Sequence, residues 1–123
     1  MRWVDALVDC TDTTASATAC FNAGHFAVAD GKVLETALVE CVAQTVAAAM
    51  GHRAHAKGEP DVIGESGMLV SVSAFRIISP APVGKPLHIE VQEIKRFGPM
   101  LLVSGRVSCQ GKVIASGELT LRL

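Results

Sequence analysis

Tyrosine is absent from this chain, and aromatic residues make up only 4% of it. Its core must therefore be aliphatic, drawn from Val, Leu, Ile and Ala. Charge of one sign is not concentrated anywhere: 11 Lys and Arg stand against 12 Asp and Glu, a formal net charge of −1. Nucleic-acid backbones need clustered Lys and Arg, so no nucleic-acid partner is expected. No stretch reaches the roughly 18 uninterrupted apolar residues of a membrane span. The most apolar segment, Val33 to Met50, is broken by Glu35, Glu40 and Gln44. The N-terminus lacks a charged region followed by an apolar run, and Asp5 and Asp9 lie near its start, so a cytoplasmic protein without a signal peptide is expected. The four cysteines (Cys10, Cys20, Cys41 and Cys109) include no C-x-x-C pair. They read as reduced core or surface thiols, and no metal site is expected of them.

What is present is a chain of 123 residues, half of them apolar and 19% charged. That suits one globular domain, 1–123, with one core. The high apolar share in so short a chain also hints at surface buried against a second copy.

Trp3 to Val8 is a short apolar run. Thr11 to Thr18 alternates small and β-branched residues and predicts a strand ending at Phe21. Asn22-Ala23-Gly24-His25 reads as a loop, and Asp30 as a helix N-terminal cap or loop anion. From Val33 to Met50 the apolar residues recur at helical spacing, with Leu34, Leu38, Cys41, Thr45 and Ala48 on one stripe and Glu40, Gln44 and Ala47 on another. Gly51 is the expected stop. His52 to Glu65 reads as a polar connector. The period then changes to two. Val70, Val72 and Ala74 form one apolar face, and Leu87, Ile89 and Val91 the next. Leu101 to Cys109 and Val113 to Leu123 follow as two more. Ile94 falls out of phase and predicts a bulge. Phe97-Gly98-Pro99 and Gln110-Gly111-Lys112 read as turns.

One long apolar helix, entered from one or two strands and followed by a four-strand meander, is an α+β layout. The helix must be buried, so the antiparallel sheet has to wrap around it. This is the hotdog fold, in which two units normally pair edge to edge, so a dimer or higher even oligomer is expected.

The residues then show a resemblance. Gly24-His25-Phe26 is similar to the G-H-F opening of the active-site motif of 3-hydroxyacyl-[acyl-carrier-protein] dehydratases. Glu40-Cys41-Val42-Ala43-Gln44 resembles their helix motif E-A-x-A-Q. Phe75-Arg76 leading to Pro80-Ala81-Pro82-Val83-Gly84 looks like their R-F-x-x-P-V-x-P-G-D turn. The loop after His25 carries no proline, and the separation of His25 from Glu40 is one residue longer than is usual there. The chain thus resembles a divergent branch, similar to the short dehydratase-like proteins of aryl polyene pathways.

The resemblance implies a dehydratase acting on 3-hydroxyacyl thioesters of acyl carrier protein or coenzyme A, in fatty-acid or polyene-type biosynthesis. Such a reaction removes an acidic C2 proton and expels the C3 hydroxyl as water, which needs a base and an acid. His25 is the implied base. Glu40, within an apolar helix, is the implied acid, since desolvation disfavours its ionisation. Backbone amides near Glu35 and Thr36 would stabilise the thioester oxygen, and Gln44 would support Glu40 or the loop. No cofactor is implied beyond the phosphopantetheine arm of the substrate. Lys57, Lys95, Arg53 and Arg96 read as surface charges or a docking patch for an acidic carrier. Two alternatives stay open: a hotdog acyl thioesterase with Glu40 as base or nucleophile, and a non-catalytic subunit in a heterodimer with a related hotdog protein.

Overall fold

The computed structural model describes residues 3–60 and 69–122. Strands β1 (Ala6–Cys10) and β2 (Thr14–Ala19) form the first hairpin. Its turn is closed by the Thr11 amide donating to the Thr14 carbonyl at 2.8 Å. Along β2 the alternation holds strictly: Ala15, Ala17 and Ala19 are buried and the residues between them are half-buried. Two short strands follow, β3 (Val28–Ala29) and β4 (Lys32–Val33), joined by Asp30-Gly31. Both turn residues have positive φ, 54° and 73°, the geometry of a tight two-residue hairpin. Asp30 is therefore a turn residue and caps no helix. The residue flanking the helix is Leu34, which makes no side-chain cap.

Helix α1 runs from Glu35 to Lys57, about two turns beyond the expected end at Met50. Gly51 lies inside it. One helical glycine costs only about 1 kcal/mol, and the added turns carry a compensating contact. Arg53 donates from Nε to the Thr11 carbonyl at 2.7 Å and from Nη2 to the Thr14 carbonyl at 3.2 Å, and its Nη1 lies 3.4 Å from Glu93. Arg53 is thus a strap between helix, first hairpin and sheet, not a free surface charge. The helix stops at Gly58, left-handed at φ 70°, with the Glu59 amide donating to the Ala54 carbonyl at 2.8 Å. The expected connector therefore begins as helix; its part at 61–65 lies outside the described residues, as does Leu123.

Four strands follow: β5 (Leu69–Ile77), β6 (Leu87–Phe97), β7 (Met100–Cys109) and β8 (Lys112–Arg122). The six-stranded sheet has the order β1-β2-β6-β7-β8-β5 and is antiparallel throughout. Only β6-β7-β8 form a meander. β5 lies beyond β8, because the segment between Ile78 and Pro86, with three prolines, leaves the ladder and carries the chain across to β2. The expected turns are hairpins, with Gly98 at φ 60° and Gln110-Gly111 at φ 53° and 79°. The bulge at Ile94 is present as a register shift between Glu93 and Lys95.

The sheet packs α1 on one face. Ala37, Leu38, Cys41, Val42, Val46 and Ala49 are buried there against Ile89, Val103, Leu119 and their neighbours. The approach is tight at Gly105, where an added Cβ would sit 2.5 Å from Val42 Cγ1. β5 departs from expectation. Its Val70 and Val72 are 37% and 53% exposed, so the apolar face expected of these two residues is not covered. Glycine at position 117 admits the bulge between Val72 and Ala74; a Cβ there would collide with the Ala74 carbonyl and Phe75 Cα. Among the described residues no helix is long and apolar enough to cross a membrane.

The Gly105 contact sets the helix-to-sheet distance, so Gly105→Ala should lower stability by about 1–3 kcal/mol, as overpacking does. Thermal unfolding checks this. In a Val42→Ala background the same change should cost markedly less; equal costs in both backgrounds would remove the contact from the account.

Candidate active site

The loop from Cys20 to Leu34 is held from below at two points. The Phe21 side chain is buried in the core, and its carbonyl accepts from the Gly84 amide at 2.8 Å. The Lys32–Pro82 bridge fastens the small hairpin to the same proline-rich turn. So the Pro80–Gly84 stretch, noticed in the sequence as a motif, is the floor on which the His25 loop rests.

Within that loop, His25 is fixed by its backbone and by its ring. Its amide donates to the Asn22 carbonyl, and its carbonyl accepts from the Val28 amide, both at 2.9 Å. Its Nδ1 accepts from the Ala27 amide at 3.0 Å. The imidazole stands edge-on to Phe21 at 5.0 Å and to Trp3 at 6.0 Å, and it stacks on Phe26 at 4.7 Å. The chain holds one Trp and four Phe, five aromatics in all. Three of the five surround His25, so an aromatic-poor chain concentrates these rings at one place.

Glu40 lies on the exposed side of α1, not in the core. The apolar residues around it in sequence point to other sides of the helix, which has buried residues at Ala37, Cys41 and Ala43 but solvent at Glu40 itself. The desolvation expected of it is not supplied by this chain alone. Gln44, one turn on, donates from Nε2 to Glu40 Oε1 at 3.2 Å. Its Oε1 accepts from the Trp3 amide at 2.6 Å and the Val4 amide at 3.1 Å. Gln44 therefore joins Glu40 to the N-terminal segment whose indole faces His25. Among the described residues no hydrogen bond or ion pair joins His25 to Glu40 directly; Trp3 and Gln44 make the connection.

Trp3 is the residue that sequence reasoning missed. It was read only as part of an apolar run. The available signal was its singularity, the one Trp in a chain short of aromatics. Its indole Nε1 is buried without an acceptor among the described residues, which ordinarily costs about 1–3 kcal/mol.

Glu35 and Thr36 begin α1, with exposed side chains. Leu34, in extended geometry, donates its own amide to the Ala27 carbonyl at 2.8 Å. The amides of Glu35 and Thr36 are first-turn donors with no intrahelical acceptor. Glu35 lines a cavity of about 570 Å³ together with Leu34, Leu38, Ile77 and Ile78. Neither His25 nor Glu40 lines it. A second, polar groove of about 620 Å³ lies on the outer sheet face, where Arg106 pairs with Glu90 at 2.9 Å; it too includes neither residue. His52 and His55 are exposed on the last turns of α1, and no cluster of three or more metal-ligating side chains occurs among the described residues.

Beside Glu40, Cys41 faces inward. Burial, together with the nearby Glu40 and Asp5 charges, pushes its thiol up to about 12. All four cysteines are free. The expected outcome is that iodoacetamide at mildly alkaline pH leaves Cys41 unmodified while the half-exposed Cys10 and Cys20 react, as peptide mapping would show. The Gln44 link has its own readout. Gln44→Leu removes the acceptor for the Trp3 and Val4 amides, so the single Trp should shift its emission to the red and become more open to acrylamide quenching. An unchanged spectrum would mean that other contacts hold the indole.

Comparison with known proteins follows this geometry. A chain of "The Dehydratase Heterocomplex ApeI:P" from Xenorhabdus doucetiae superposes with a TM-score of 0.78 at 17% identity, covering 98% of this chain and 82% of that one. Thioesterase superfamily member 2 from Mus musculus gives 0.70 at 16% identity, with 96% and 80% covered. A hypothetical thioesterase with coenzyme A from Streptococcus pneumoniae gives 0.70 at 10% identity, with 95% and 86% covered. These likenesses establish the hotdog fold. A search of curated proteins gives no match. The family model described as ApeP dehydratase matches residues 1–122, and the chain belongs to the ApeP-like dehydratase family.

Proposed function

We infer that this protein dehydrates 3-hydroxyacyl thioesters, with His25 and Glu40 as the reacting pair. The observation that carries the reading is the assembly around the two residues. His25 is pinned by a backbone amide and three aromatic rings, and Glu40 is hydrogen-bonded by Gln44, which grips the N-terminal segment bearing one of those rings. That investment of contacts in a solvent-facing carboxylate and a loop histidine fits the dehydratase family to which the chain belongs.

The apolar cavity at the start of α1 would receive the acyl chain, with the Glu35 and Thr36 amides beside the thioester oxygen. The substrate's phosphopantetheine arm, on acyl carrier protein or coenzyme A, would supply the handle, and no resident cofactor or metal takes part. Four free thiols suit a reducing cytosol.

The reading includes a second hotdog subunit. β5 is a nine-residue edge strand whose outer backbone groups pair with no other strand among the described residues, and its Val70 and Val72 are exposed. Such an edge is a template for another strand. Pairing through β5 would continue the sheet and bring a second subunit toward the exposed side of α1, where it could desolvate Glu40. The partner is a second copy or a related subunit; the neighbour from a dehydratase heterocomplex supports the latter. The thioesterase reading rests on the hotdog neighbours bearing that name.

The test is turnover of a 3-hydroxyacyl thioester followed by enoyl absorbance, with thiol release measured in parallel. Wild type should form the enoyl product, and His25→Ala and Glu40→Gln should each lose about 10²-fold or more. Wild-type rates in both variants would discard the site. Thiol release without enoyl formation would establish hydrolysis instead. Val72→Lys on the β5 edge should shift the sedimentation profile toward the single chain and lower the rate with it.

A further inference from the structure

We propose that the tip of the β6–β7 hairpin is a membrane-contact site, whose occupant is the surface of a bilayer carrying anionic lipids. The proposal stands independently of the dehydratase reading.

The tip lies far from the His25 loop. Ala19, at the end of β2 that leads into that loop, pairs with Leu87 at the start of β6. Strand β6 then runs eleven residues to Phe97. At about 3.3 Å per residue its far end is roughly 30 Å away. Every residue from Ile94 to Pro99 is exposed, whereas Leu101 behind them is buried.

The apex is apolar. Phe97 and Met100 pair across a turn made by Gly98 and Pro99. Phe97 is 46% exposed and Ile94 is 49% exposed. In a chain with only four Phe, one stands in a turn where the core does not use it. Pro99 brings no backbone N–H to the apex, which removes one donor that a lipid surface would leave unpaired.

Behind the apex the charge is of one sign. Lys95 and Arg96 directly precede Phe97, and Arg122 pairs in register with Met100. No acidic residue occurs from Ile94 through Gly117. The carboxylate that precedes the tip, Glu93, is engaged by Arg53 at 3.4 Å and by Arg96 at 3.9 Å. A recess of about 200 Å³ beside Lys95 and Arg96 has room for a headgroup. An apolar point with a basic collar matches the layering of an anionic bilayer surface. The ring and aliphatic side chains enter the acyl boundary, and the long cationic side chains stay at the phosphates.

The shape favours lipid over protein. Protein interfaces seat their apolar anchors in well-packed pockets, so a convex apex would need a partner hollowed to fit it. A lipid surface deforms around the apex without such a match. An acyl carrier seated on this tip would also have to span the length of the sheet to bring its thioester to His25 of the same chain. Contact through the tip holds the chain at a membrane with the His25 loop at the opposite end, open to solvent.

Sedimentation of the full chain with vesicles tests this. The wild type should pellet with vesicles of phosphatidylcholine mixed with phosphatidylglycerol, remain in solution with phosphatidylcholine alone, and be released by high salt. Phe97→Ser, and Lys95→Gln combined with Arg96→Gln, should each weaken binding about 10-fold or more. Lys112→Gln removes a cation from the hairpin at the opposite end of the sheet and should bind as wild type does. Circular dichroism confirms that the variants fold. A wild type that stays in solution with the mixed vesicles overturns the proposal, and is the result expected if the tip takes an acidic protein instead. Folded tip variants that pellet like wild type overturn it too, as does a Lys112→Gln loss as large as theirs, which would reduce the binding to net charge.

Discussion

The contact between Val42 and Gly105 sets the geometry on which everything else depends. A 23-residue helix can lie flush on a twisted sheet only where side chains on one surface leave room for the other. Glycine at 105 provides that room, and the alanines of α1 extend it along the helix. Once the helix is seated, Arg53 fixes its far end to Thr11, Thr14 and Glu93, and Leu34 fixes its near end to Ala27. The height of α1 above the sheet then determines where Gln44 meets the Trp3 amide. The functional cluster inherits its dimensions from the packing beneath it.

The period-two strands, the hairpin turns and the Ile94 bulge were legible in the sequence because each is a local pattern with a local cause. Three features were not, and each has a nonlocal reason. Helix α1 runs past Gly51 because Arg53 gains partners more than 35 residues earlier in the chain. β5 lies beyond β8 because the path through three prolines leaves the ladder and carries the chain across to β2 rather than turning back. Glu40 faces solvent because the side of a helix occupied by one residue depends on which neighbours the sheet buries; an apolar neighbourhood in sequence is not an apolar neighbourhood in space.

The candidate site was half legible. His25, Glu40 and Gln44 could be singled out as residue types in a suggestive order, and the structure brings these three into one connected cluster. The connecting piece, Trp3, could not be found by motif, since its part is played by a backbone amide and a ring edge. Nor could the direction of the hydrogen bond at His25 Nδ1. That direction depends on whether a carbonyl or an amide faces the ring, and the residues of the proline-free loop do not reveal which. Glu35 illustrates a separate limit: it shares the helix with Glu40, yet the cavity it lines includes neither Glu40 nor His25.

The strand order has a consequence for the chain as it leaves the ribosome. Ala17 pairs with Ile89, and Val72 with Leu119. Helix α1 is complete at Lys57, yet most strands that cover it are synthesised afterwards, and the last of them, β8, ends at Arg122. Such long-range pairings fold slowly, and during the delay the inner face of the helix is open to unwanted association. A helix faced with alanine presents less sticky surface in that interval than one faced with leucine or phenylalanine. The small side chains that let the finished helix settle on the sheet also make the unfinished chain safer to hold.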